Sequence, residues 1–133
     1  MSIWGRKVSK KVVAGVAVLF IAVIGLLPVT TKARAREVTL VAKDMAFYLE
    51  DDATAANPVI ETKAGETIRV VLLNRDRGMT HDFALPASDA VIEALQWNEN
   101  GEVTFEVPRE PGTYEYVCRP HLLMMKGTLR VTR

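Results

Sequence analysis

The chain has a single cysteine and only two histidines in 133 residues. One cysteine excludes an internal disulfide, which leaves intermolecular pairing, an inert buried thiol or a metal-bound thiolate. It also excludes any centre that needs two cysteines, and two histidines are too few for a His-rich tract. No acidic residue precedes Glu37, no internal repeat is present, and no segment is of low complexity. What remains is a short chain of two unlike parts.

The first part is a leader. Arg6, Lys7, Lys10 and Lys11 precede an uncharged apolar run over residues 12–29. A basic head with such a run reads as an export signal or a membrane span, and the run is barely long enough to cross a bilayer. Ala33-Arg34-Ala35 supplies a small-x-small cleavage signature, although Lys32, Arg34 and Arg36 crowd it with positive charge. Residues 1–35 are therefore expected to be a signal peptide or a membrane anchor, and to form a hydrophobic helix. Residues 36–133 are expected to lie outside the cytoplasmic membrane, in the periplasm or an equivalent compartment. An uncut anchor would hold them close to the membrane, because residues 30–36 extend to at most about 25 Å.

The second part reads as short strands punctuated by turns. Segments 37–43, 45–49, 59–62, 67–74, 81–85, 102–107, 113–118 and 127–132 alternate or run apolar between Gly, Pro, Asn and Asp signals. Residues 89–97 suit a helix by propensity, but the strand rhythm on either side favours sheet. Asn100-Gly101 reads as a hairpin turn, and Ala64-Gly65-Glu66 as a hairpin-like break. Seven or eight short strands in about 98 residues predict an all-β domain, an antiparallel Greek-key β-sandwich or barrel.

The chemistry concentrates in two places. Tyr114-Glu115-Tyr116-Val117-Cys118-Arg119-Pro120-His121-Leu122-Leu123-Met124-Met125-Lys126-Gly127 holds a Cys-x2-His-x3-Met pattern between two strands. His81 lies upstream, after the loop at 75–79. A thiolate, two imidazoles and a thioether are the ligand set of a His2Cys copper site with a weak axial Met. Zinc would want more cysteine, histidine or carboxylate ligands, and a thioether suits it poorly. Spacing alone permits either Met124 or Met125 as the thioether ligand.

These residues resemble those of the cupredoxins, the type 1 or blue copper proteins of the plastocyanin, azurin and amicyanin group. Cys118-x2-His121 is similar to the spacing in amicyanin and plastocyanin, and Met125-Lys126-Gly127-Thr128-Leu129 to a run in azurin. Asn74-Arg75-Asp76 before His81 is similar to a loop of amicyanin. The resemblance covers about residues 37–133. It implies one copper ion cycling between Cu(I) and Cu(II), held by His81, Cys118, His121 and Met125, since the axial Met of the family is followed by x-Gly.

Two departures stand out: Asp82 where the family usually has Asn, and Arg119 where Thr or Ser is common. An Asp82–Arg119 ion pair is expected to brace the two ligand loops in their place.

The function expected from this resemblance is electron transfer, not enzymatic catalysis, because no histidine is left over for substrate or oxygen. The resemblance also implies that the C-terminal-loop histidine reaches solvent. Met79, Pro120, Leu122, Leu123 and Met124 would then form an apolar docking patch around His121. Residues 36–133 carry 16 acidic and 11 basic side chains, a net −5, which argues against nucleic acid as a partner. It suits a basic redox partner, such as a c-type cytochrome or a membrane oxidase or dehydrogenase. The competing expectation is copper trafficking or sequestration. That role favours an open Met- and His-rich site, and the chain has one Met-Met pair and no His-rich tract.

Overall fold

The computed structural model describes residues 34–133. The leader, with its expected hydrophobic helix and cleavage signature, lies outside the described residues except for Arg34 and Ala35.

Among the described residues, nine strands form two sheets. They are β1 (Arg36–Lys43), β2 (Ala46–Leu49), β3 (Val59–Lys63), β4 (Thr67–Asn74), β5 (His81–Leu85), β6 (Ala90–Leu95), β7 (Asn100–Glu106), β8 (Gly112–Val117) and β9 (Lys126–Thr132). One sheet has the order β2-β1-β4-β7 and the other β3-β9-β8-β5-β6. The all-β sandwich is as the sequence predicts, with nine strands rather than seven or eight.

Alternation explains why these segments pack. In β1 the buried positions are Val38, Leu40 and Ala42; in β4 they are Ile68, Val70, Leu72 and Asn74. A strand turns alternate side chains to opposite faces, so each sheet offers one apolar face to the other. Phe47, Phe83 and Tyr116 fill the centre, with Tyr116 5.5 Å from Phe47 and 5.6 Å from Phe83 between ring centroids. Such a side chain contributes about 1.5–3 kcal/mol when fully buried. The Tyr116 hydroxyl is not left unpaired: it donates to the Pro58 carbonyl at 2.6 Å.

Three sequence expectations need correction. The sandwich is not purely antiparallel, because β1 pairs with β4 and β3 with β9 in parallel. Asn100-Gly101 is not a hairpin turn. Both residues belong to β7, and the chain turns at 96–99, where Asn98 takes a positive φ of 66° and the Asn98 amide donates to the Asn74 carbonyl. Strands β6 and β7 sit in different sheets, so nothing there needs the tight turn that Asn-Gly provides. Likewise Ala64-Gly65-Glu66 carries the chain from one sheet to the other. Residues 89–97 resolve in favour of strand, as β6 pairs along β5.

The fold positions the site by adjacency. Strands β5, β8 and β9 are neighbours, with Ala84 opposite Val117 and Val117 opposite Lys126. The start of β5, the end of β8 and the start of β9 therefore meet at one end of the sheet. Gly127 makes the last of these contacts possible. It lies opposite Tyr116, and a Cβ there would fall within the Tyr116 ring.

Candidate metal centre

His81 opens β5 and is completely buried. Cys118 follows β8 and is also completely buried, and a one-turn 3-10 helix over Arg119–His121 brings His121 back toward it. That turn is closed by the His121 amide on the Cys118 carbonyl at 3.1 Å and the Met125 amide on the His121 carbonyl at 2.9 Å. The Cys118 amide donates to the Met125 carbonyl at 3.0 Å, which ties both ends of the loop together.

Two nitrogens face one sulfur. His81 Nδ1 lies 3.7 Å and His121 Nδ1 3.5 Å from Cys118 Sγ, and one donor atom from each residue falls within 4.8 Å of the others. The two imidazoles are 4.9 Å apart between centroids. Burial pushes the Cys118 thiol up, with the Asp82 charge adding to the rise, while backbone hydrogen bonds from Asp82 and His121 pull it down. A buried thiol of raised pKa becomes a thiolate when a cation lies against it, and a coordinating metal deprotonates it outright. Sulfur and nitrogen donors in this number fit a single copper ion.

The methionines part company. Met125 is completely buried, whereas Met124 is 58% exposed and presents its carbonyl to the Asn57 side chain at 2.9 Å. Burial of Met125 is worth about 1.5–3 kcal/mol to the fold in itself. Its candidacy as a ligand rests on its place in the loop.

Asp82 and Arg119 meet. Arg119 Nε donates to Asp82 Oδ2 at 2.6 Å, and the Arg119 backbone amide donates to Asp82 Oδ1 at 2.7 Å. The Asp82 side chain is almost wholly buried and that of Arg119 is half-exposed, its other end donating to Glu93 at 3.0 Å. The carboxylate thus links the residue after His81 to the residue after Cys118.

Sequence reasoning gave no role to three polar residues beside the site, two of which, Asn74 and Asp76, entered only as part of the family resemblance. Asp76 Oδ2 lies 3.0 Å from His81 Nε2 and accepts from the Met45 amide at 3.1 Å. Burial works to raise the Asp76 carboxyl, but these hydrogen bonds and the two imidazoles outweigh it and hold its pKa below the usual value. Asn74, completely buried, donates to the Met79 and Leu95 carbonyls at 2.8 and 2.9 Å and accepts from the Asp76 amide. Asn57 bridges Phe47 and Met124. A polar residue closing an alternating strand, as Asn74 does, was the available signal.

The residues immediately adjoining His121 in the sequence are apolar. Pro120, Leu122, Leu123 and Met124 are all exposed, Leu123 at 95%, and Met79, two residues before His81, is exposed too. Leu122 and Leu123 are therefore not core residues.

Comparison with known proteins agrees with this geometry. Residues 35–132 match the family of copper-binding proteins described as the plastocyanin/azurin family. No individual curated protein matches the chain by sequence. Among solved structures, auracyanin B is similar at 26% identity and a TM-score of 0.61, covering 74% of this chain and 90% of that one. Auracyanin A from Chloroflexus aurantiacus, described as a "blue" copper protein, shares 23% identity over 74% of this chain and all of its own, with a TM-score of 0.60. A copper nitrite reductase from Nitrosomonas europaea shares the fold over only 41% of its length, at 21% identity and a TM-score of 0.57. With a family match spanning nearly all the described residues and the sulfur and two nitrogens converging on one point, the chain belongs to the plastocyanin/azurin family of copper-binding proteins.

Proposed function

We propose that the protein is a one-electron carrier working outside the cytoplasmic membrane, with His81, Cys118, His121 and Met125 holding a single copper. Bound copper would supply a Cu(II)/Cu(I) couple. The chain's own residues do the rest. His81 is fixed by the β5 ladder, Cys118 just past β8 by its amide's bond to the Met125 carbonyl, and His121 by the 3-10 turn, so the donors stay put whichever charge they face. A site that barely moves loses little to reorganisation when the electron arrives or leaves. His121 is the half-exposed donor, and the apolar residues around it suit a small, transient contact with a redox protein.

The observation that carries this reading is the convergence of Cys118 Sγ and two imidazole nitrogens within 4.8 Å in a buried setting. The basic head and the apolar run at 12–29 support export or anchoring, which directs the carrier toward partners such as a c-type cytochrome or a membrane oxidase or dehydrogenase. Among the described residues no further group of three metal-ligating side chains exists to bind a substrate at a second metal, which favours a carrier over an enzyme. Copper trafficking is the competing reading.

Voltammetry of the copper-loaded full chain separates them. A carrier gives a reversible one-electron wave and keeps its metal through repeated cycles in the presence of a Cu(I) chelator. Loss of copper to the chelator on reduction would transfer the assignment to trafficking, and a sustained current drawn by nitrite or dioxygen alone would make it an enzyme.

A further inference from the structure

The far nitrogen of His81 meets a carboxylate. An ionised carboxylate can only accept, so the 3.0 Å contact from Asp76 Oδ2 places the ring proton on Nε2. Nδ1 is then left bare, and it is the nitrogen that faces Cys118 Sγ. Asp76 is itself held from three directions: its oxygen by the Met45 amide from the β1–β2 turn, its own amide by the Asn74 side chain, and its loop by Asn74 bonds to Met79 and Leu95. The carboxylate is aimed, not merely nearby.

A second carboxylate flanks the same histidine, but its charge is spent differently. Asp82 is paired with the Arg119 guanidinium at 2.6 Å. Among the described residues, no lysine or arginine pairs with Asp76, whose partners are the His81 ring and an amide. Its negative charge therefore acts on whatever the imidazole binds. A carboxylate behind a ligating imidazole fixes the tautomer and raises the basicity of the other nitrogen. A dipositive ion gains more from both effects than a monopositive one.

We propose that Asp76 is a positioning residue for the copper site. It locks His81 in the Nε2–H tautomer and lends it charge, favouring Cu(II) over Cu(I) and lowering the reduction potential. The inference rests on the single-copper reading above and adds the residue that sets its potential.

Asp76→Asn tests it, because the amide oxygen still accepts from Met45 and His81 while the charge is gone. In the copper-loaded full chain, Asp76→Asn keeps the thiolate-to-copper absorption but loses about tenfold in affinity for Cu(II) relative to Cu(I). For a one-electron couple this is a rise in potential of about 59 mV. Asp76→Ala raises it further. An unchanged potential in Asp76→Asn, with the absorption of the unaltered chain intact, overturns the inference and leaves the copper reading standing. Absence of that absorption in the unaltered chain sinks both. A readout free of copper is the His81 tautomer in the metal-free chain, by 1H–15N NMR. A proton on Nε2 supports the inference, and a proton on Nδ1 overturns it.

Discussion

The two histidines of the site occupy opposite surroundings. His81 is completely buried at the head of a strand, with a carboxylate on its outer nitrogen and Asp82, the next residue, bonded to the Cys118 side of the loop. His121 lies half-buried on a single 3-10 turn, with exposed apolar residues on both sides in the sequence. One side of the site is built from polar groups that leave no freedom; the other is a thin apolar cover. On the proposed reading the contrast divides the labour: the His81 side would tune the potential of the metal, and the His121 side would meet the redox partner.

Removing each imidazole in turn gives the largest effect. In His121→Gly the lost ring leaves a gap toward solvent, and added imidazole should restore the thiolate-to-copper absorption. In His81→Gly the gap is sealed within the protein beside Asp76, and imidazole should fail to restore it. Equal rescue of the two variants would erase the distinction.

The next effect falls on the brace. Asp82→Ala leaves the Arg119 amide without its acceptor and should lower stability by about 1–3 kcal/mol, several degrees in Tm for a domain of about 100 residues. Thermal melts of the metal-free chain measure this, since they separate the fold from any help by copper. A melting temperature equal to that of the unaltered chain would reduce the Asp82–Arg119 pair to an ornament.

The smallest effect on the molecule itself belongs to the cover. Leu123→Lys changes a 95%-exposed side chain, so stability should stay within about 0.5 kcal/mol and the absorption spectrum should not move. Electron transfer to a redox partner protein, followed by stopped-flow, should slow all the same. An unaffected rate would place docking elsewhere on the surface.

The same contrast governs what could be seen in the sequence. Cys118, His121 and the Met124-Met125 pair fall within eight residues, so their spacing suggests a shared site, while the choice of Met125 rests on the family resemblance. His81 could be found because only two histidines exist. The Asp82–Arg119 pair could be anticipated because each residue adjoins a ligand. Asp76 could not be assigned, since its role depends on a loop folding back and on an amide 31 residues away. Parallel pairing of β1 with β4 is invisible for a like reason: nothing local encodes which strand will lie alongside. Asn100-Gly101 misled because Asn-Gly permits a tight turn without compelling one, and the ladder to β4 claimed both residues.

The central claim is a single copper bound by a buried thiolate and two imidazoles. The most direct test is the visible absorption and EPR spectrum of the oxidised, copper-loaded full chain. An intense thiolate-to-copper band with a narrow copper hyperfine splitting is the predicted result. A colourless protein that retains only Cu(I), or one that takes zinc in preference, would contradict it.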